Sequence, residues 1–234
     1  MSYPLFRTEL LLGSENLSKI KASRVIVFGV GGVGGYAIEA IARCGVRKLT
    51  LVDFDTVDIT NLNRQIIALT DTVGRYKTEV MKERILAISP EIEVEIFSEM
   101  LTAENISKFD IKKYDMVIDA IDMFDSKMAL IEYSSKMGIK IISAMGAGNR
   151  IHPEKLEITD IYKTFNCPLA RKVRLECKKR RIKRLEVVFS TENPVVEKAN
   201  RQVGIPSISF VPAAAGLLMA SRVIQKIIMK DMSV

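Results

Sequence analysis

Chemistry in this chain of 234 residues can begin at a run of glycines. Val25-Ile26-Val27-Phe28 leads directly into Gly29-Val30-Gly31-Gly32-Val33-Gly34, a GxGxxG pattern at the end of an apolar run. Glycines there permit a tight turn and let backbone N–H groups approach phosphates, and a helix starting at that point favours their negative charge. Asp53 closes the next apolar run, Leu49 to Val52, at the spacing expected for a carboxylate that holds ribose hydroxyls. Gly29, Gly31, Gly32, Gly34 and Asp53 are therefore a candidate nucleotide site. The competing reading, glycines kept only for close strand-to-helix packing, does not account for Asp53.

The elements that must position these residues follow from periodicity. Between the two apolar runs, Ala37, Ile38, Ile41 and Ala42 share one helical face, with Glu39 and Arg43 off it, so the segment reads as strand, helix, strand. A mixed stretch from Thr56 to Gly74 follows, then a helix over about Lys77 to Ile88. Strands are expected over Val94 to Phe97, Met116 to Ala120 and Ile139 to Ser143, with a helix near Ser126 to Met137 between the last two. The second half is less regular. It gives a short strand over Leu156 to Ile158, a basic helix from Pro168, a strand over Leu185 to Phe189 and a final helix from about Ala213. Strands alternating with helices predict an α/β fold, a Rossmann-like mostly parallel sheet with helices on both faces. No repeat or Gly/Ser/Pro-rich linker divides the chain, so a single domain over 1–234 is expected.

Composition narrows the function classes. At 48% hydrophobic residues the chain can bury a full core. Its three cysteines, Cys44, Cys167 and Cys177, form no CxxC pair, which excludes a disulfide framework and a four-thiolate zinc site. The N-terminus carries Arg7 and Glu9 and has no apolar signal stretch. The apolar segment Ile205 to Met229 is interrupted by Pro206, Pro212, Arg222 and Lys226. A cytoplasmic chain that enters no membrane is the expectation. The net charge of +7 is modest but unevenly placed, which makes a polyanion partner plausible.

A nicotinamide dehydrogenase would fit the glycine loop and Asp53 alone. The next residues argue otherwise. Asp53-Phe54-Asp55-Thr56-Val57-Asp58-Ile59-Thr60-Asn61-Leu62-Asn63-Arg64-Gln65, then Gly74-Arg75-Tyr76-Lys77 and Asp119-Ala120-Ile121-Asp122, resemble the ThiF-type adenylating superfamily, which includes the ubiquitin-activating enzymes and the activators of bacterial sulfur carriers. A triphosphate needs cations and a carboxylate for Mg²⁺ beyond what a dinucleotide needs. The resemblance implies ATP as ligand, with Asp53 on the ribose and Asp55 grouped beside it. It also implies Asn61, Arg64 and Lys77 on the triphosphate and Asp122 on Mg²⁺. Arg7, in Phe6-Arg7-Thr8-Glu9-Leu10-Leu11, matches an arginine that family dimers insert into the partner's ATP site, so a homodimer is implied. Arg64, Lys77, Asp122 and Arg7 form the expected catalytic set. Arg64 and Lys77 taken singly are of the kind that sits solvated at a surface, and Asp122 is also suited to capping the following helix.

Gly146-Ala147-Gly148-Asn149-Arg150-Ile151-His152-Pro153, Asp160-Ile161-Tyr162-Lys163-Thr164, Pro168-Leu169-Ala170-Arg171 and Ser207-Ile208-Ser209-Phe210-Val211-Pro212 resemble the tRNA threonylcarbamoyladenosine dehydratase branch of that superfamily. The resemblance implies ATP-dependent cyclisation of N6-threonylcarbamoyladenosine in tRNA through an acyl-adenylate. The alternative is adenylation of the C-terminus of a small sulfur carrier, whose activators commonly carry zinc cysteines absent here. A monovalent cation and a sulfur-relay protein remain open as a further cofactor and partner. Between Arg171 and Arg184 lie nine basic residues and one acid. Arg171, Lys172, Arg174, Lys178, Lys179, Arg180, Arg181, Lys183 and Arg184 are accordingly the candidate contacts to tRNA phosphates, against the reading of a solvated basic helix. His152 reads as a turn residue before Pro153, and Cys167 and Cys177 as ordinary residues.

Overall fold

The computed structural model describes residues 3–196 and 204–229. Apolar β-branched runs build the centre of the sheet. β1 (Arg24–Phe28), β2 (Lys48–Val52) and β4 (Met116–Asp119) are buried along almost their whole length, as strands covered on both faces must be. With β3 (Glu93–Phe97), β5 (Ile141–Ala144), β6 (Leu156–Asp160) and β7 (Glu186–Ser190) they form a seven-stranded sheet in the order β3-β2-β1-β4-β5-β7-β6. All neighbours pair in parallel except β6, which runs antiparallel to β7 and closes the edge.

Alternate residues of β1 sort the helices onto two faces. Val25 and Val27 pack with α3 (Gly34–Arg43), α4 (Lys77–Ile88) and α7 (Phe210–Ile228), through Ile38, Met81 and Met219 among others. Ile26 and Phe28 turn the other way, toward Leu130 of α5 (Phe124–Met137) and Phe109. On that second face α5 also packs with α6 (Pro168–Lys179) around Val187 and Phe189 of β7. By length and composition α7 could cross a membrane; in this fold half of it is buried, and it packs along α3.

Several boundaries differ from expectation. Two helices, α1 (Phe6–Leu12) and α2 (Ser14–Ala22), precede β1 where the sequence suggested none. No residue of α1 is buried and only Leu17 and Ile20 of α2 are, so neither presents a strong apolar stripe to read. α7 begins at Phe210 and not near Ala213, because Pro212 sits in its first turn, where a missing N–H costs nothing. β5 starts two residues late: α5 ends at Gly138 in the left-handed conformation, and Ile139 is still tied back to Ser134.

Candidate active site

The order of strands reverses at β1, whose neighbours β2 and β4 lead off in opposite directions. In open α/β sheets ligands bind in the crevice beyond the strand ends at such a point. Here that crevice is a cavity of about 730 Å³. The glycine loop forms one wall, and its glycines are required for two different reasons. A Cβ on Gly34 would lie 1.8 Å from the Gly29 carbonyl oxygen, so that residue is bare because backbone packs on it. A Cβ on Gly31 would meet only the Gln65 amide at 3.8 Å. The protein leaves room there, which suits a ligand approaching the backbone.

Asp53 ends β2 beside this loop. Its Oδ2 accepts from the Val30 N–H at 2.6 Å and its Oδ1 from the Asp55 N–H at 2.9 Å. Burial raises its carboxyl above the ordinary aspartate value, against the pull of the Val30 N–H, the Lys77 charge and the Asp55 N–H. Each carboxylate oxygen keeps a lone pair for a further donor. Lys77 opens α4, and its Nζ donates to Asp55 Oδ2 at 2.6 Å; the lysine side chain is 7% exposed and the aspartate 45%. Asn61 is held by a reciprocal cap, in which its Oδ1 accepts from the Asp58 N–H. Arg64 reaches back to the Thr60 carbonyl and the Asn63 side chain. Asn61, Arg64 and Lys77 all line the cavity with Gly31, Gly32, Asp53 and Asp55.

Asp122 stands on the loop after β4, exposed at the cavity wall and without a protein partner among the described residues. Beneath it is a pair that motif reasoning leaves without a role. Asp119 and Lys127 are fully buried at 0% exposure. Lys127 Nζ donates to Asp119 Oδ2 at 2.8 Å and to the Ala144 carbonyl at 3.0 Å, and the Ser143 hydroxyl donates to the same Asp119 oxygen at 2.5 Å. Asp119 Oδ1 accepts from the Ile121 N–H, so the pair fixes the loop that carries Asp122. A sequence signal did exist: Lys127 occupies the buried stripe of α5 with Leu130, Ile131 and Ser134, at i, i+3, i+4 and i+7.

The opposite wall belongs to the loop after β5 and the start of α6. Arg150 is 4% exposed and donates through both Nη atoms to the carbonyls of Asn149 and Asn166, while its Nε has no partner among the described residues. Burial lowers its pKa from the ordinary arginine value, against the nearby Cys167 and Glu192. Cys167 caps α6, its Sγ accepting from the Ala170 N–H at 3.4 Å, and lines the cavity. Cys177 is core, its thiol pushed up to about 11 by burial.

The nine basic residues of the segment from Arg171 to Arg184 do not form one surface. Lys172 lines the cavity. Arg174 is turned inward onto the Thr164 carbonyl and hydroxyl, both at 2.6 Å. Lys179 pairs with Glu176, and Arg180 with Glu132 and Glu176. Arg171, Lys178, Arg181, Lys183 and Arg184 are exposed with no acidic partner among the described residues. Arg7, on α1, lies outside the cavity of its own chain and borders a separate groove between α1, α3 and α7.

With this geometry in view, the relatives are informative. Residues 6–234 match the ThiF family. The tRNA threonylcarbamoyladenosine dehydratase of Bacillus subtilis is 42% identical, across 100% of this chain and 98% of that protein. The sulfur carrier protein adenylyltransferase of Thermus thermophilus is 30% identical over 56% of this chain and 48% of its own length. Among solved structures, Escherichia coli tRNA N6-threonylcarbamoyladenosine dehydratase, TcdA, in complex with ATP, superposes with a TM-score of 0.89 at 37% identity, covering 96% of this chain and 93% of that one. The chain belongs to the ThiF family.

Proposed function

We propose that this ThiF-family chain is an ATP-dependent tRNA threonylcarbamoyladenosine dehydratase, working in the cytoplasm as one adenylating domain over 1–234. The observation that carries the reading is the extent of the likeness. It spans the whole chain for the Bacillus subtilis dehydratase, at 42% identity, and 56% of it for the sulfur-carrier activator, at 30%.

In this reading the ribose of ATP hydrogen-bonds to the free lone pairs of Asp53, and the phosphates lie along Gly31 and Gly32 toward Asn61, Arg64 and Lys77. Lys77 exchanges its half-solvated partner Asp55 for phosphate oxygen. Among the described residues no group of three His, Cys, Asp or Glu could hold a metal by itself; Asp122, open to the cavity and without a partner among those residues, would hold magnesium together with substrate phosphates, as one or two carboxylates commonly do. When bound, the ion neutralises phosphate charge. The threonyl carboxylate of the modified base attacks the α-phosphorus, forming an acyl-adenylate and releasing pyrophosphate. The adjacent carbamoyl group then attacks the acyl carbon and expels AMP, so the oxygen lost from the base departs on AMP. No enzyme nucleophile is needed. The protein contributes position and charge, and holding the carbamoyl group beside the acyl carbon makes closure effectively intramolecular. Arg7, remote from its own cavity, is assigned to the ATP site of a second copy in a homodimer.

Mass spectrometry of tRNA nucleosides after incubation with protein and ATP tests the function. The expected result is loss of one water from threonylcarbamoyladenosine with stoichiometric AMP and pyrophosphate. An unchanged nucleoside, with adenylation of a Gly-Gly carrier protein in its place, would overturn it. Asp122→Ala should depress turnover far more than nucleotide affinity, since charge on the phosphates grows in the transition state.

A further inference from the structure

Among the nine basic residues of the Arg171 to Arg184 segment, Lys172 alone lines the cavity. The chain enters α6 through Cys167, Pro168 and Leu169, which border the cavity opposite the glycine loop. Lys172 is one turn further on, above Pro168 and Leu169 on the same helical face. Its Nζ stands 6.0 Å from the centre of the Phe124 ring, two residues beyond Asp122. No carboxylate among the described residues pairs with it, whereas Lys77, Lys127, Lys179 and Arg180 each have one.

The chemistry proposed above brings a carboxylate against a triphosphate, two anions that repel unless a cation meets the incoming one. Arg64 and Lys77 stand on the glycine-loop side and serve the phosphates. On the other wall, Arg150 is 4% exposed and has committed both Nη atoms to backbone carbonyls, with only its buried Nε unpaired among the described residues. That leaves Lys172, exposed and lining the cavity beside Phe124 and Leu169, as the uncommitted ammonium, free to offer an incoming anion a charge-assisted hydrogen bond.

We infer that Lys172 binds the carboxylate to be adenylated, holding one oxygen while the other faces the α-phosphorus, and is not one of the tRNA phosphate contacts. The inference rests on the dehydratase reading. A backbone phosphate of the same tRNA is the other oxyanion within reach of such a lysine, and the two sources separate by experiment. Binding of the same tRNA with and without the threonylcarbamoyl group would be measured for wild type, Lys172→Met and Lys172→Arg, together with ATP affinity, melting temperature and the kinetics of dehydration.

Wild type should prefer the modified tRNA. Lys172→Met should lose roughly ten- to a hundredfold in affinity for it, the effect of one charge-assisted hydrogen bond. Its affinity for unmodified tRNA, the salt dependence of that binding, its ATP affinity and its melting temperature should match wild type. Lys172→Arg should recover part of the preference. Equal losses on both tRNAs with a shallower salt dependence would overturn the inference in favour of a phosphate contact, and wild-type behaviour of Lys172→Met would overturn it in favour of a solvated lysine. Either result leaves the dehydratase reading standing; a wild-type protein that makes no dehydrated nucleoside removes both.

Discussion

Two lysine–aspartate pairs stand at the same edge of this sheet, and they are built for different purposes. Lys127 and Asp119 are sealed at 0% exposure and bonded further to Ser143 and the Ala144 carbonyl. Lys77 and Asp55 lie at the cavity wall, the lysine 7% exposed and the aspartate 45%. Enclosing a charge pair costs desolvation that only a complete set of partners offsets, and a pair so enclosed cannot exchange partners without exposing a bare charge. The sealed pair is therefore a fastener, tying the ends of β4 and β5 and the loop of Asp122. The open pair can be exchanged, because water solvates Asp55 when Lys77 turns to a ligand. Identical residue types thus suit structural work or an exchangeable contact according to the solvation of the partner left behind.

The largest effect should come from breaking the fastener. Lys127→Met leaves Asp119 buried and charged without its cation, which costs about 3–5 kcal/mol. In a chain of this size that lowers the melting temperature by roughly 6–20 °C. Adding Asp119→Asn should recover much of the loss, since no unpaired charge then remains inside. Calorimetry on the single and double variants measures this, and a single variant that melts with wild type would show that the pair is not structural.

Lys77→Met is the matching change in the open pair. It should remove about 10²- to 10³-fold in turnover, the range for deleting one preorganised electrostatic contact. Stability should stay within about 1 kcal/mol, because Asp55 remains hydrated. Dehydration kinetics read beside calorimetry would break the comparison if Lys77→Met lost as much stability as Lys127→Met.

The same contrast explains what could be read from sequence. The glycine loop and Asp53 are legible from their spacing at strand ends, whereas Arg64, Lys77 and Asp122, which line the same cavity, come only with the family resemblance. The central parallel strands were legible as apolar runs. Lys127 was hidden, as its partner lies on another element and its only mark is a charge on an apolar helical stripe. β6 gives no hint of running antiparallel, since direction within a sheet is set by tertiary pairing and not by alternation. The basic segment was legible as charge and illegible as surface. Ala170, Val173 and Cys177 mark its buried stripe, but Lys or Arg crowds the rest of the helix, so no periodicity separates Lys172 at the cavity and Arg174 on Thr164 from the solvated remainder.

The smallest effect should come from cations that have neither fastening nor ligand in this chain. Arg171, Lys178, Lys183 and Arg184 are exposed and lack acidic partners among the described residues, whereas Lys179 and Arg180 already answer Glu176 and Glu132. Phosphate contacts release counterions and so impose a salt dependence on binding, with roughly one unit of log–log slope per contact. Replacing these four of the five free residues with Ala should weaken tRNA binding and lower that slope by roughly one for each that touches a phosphate, with ATP affinity unchanged. Replacing Lys179 and Arg180 should move the slope less, because their charge is already partly neutralised, and should remove a few tenths of a kcal/mol of helix pairing, about 0.2–0.5 per pair. The measurement is tRNA affinity across a salt series. A slope that falls more for the paired double variant than for the free quadruple one would reverse the assignment and place the tRNA backbone against the Glu132 side of α6.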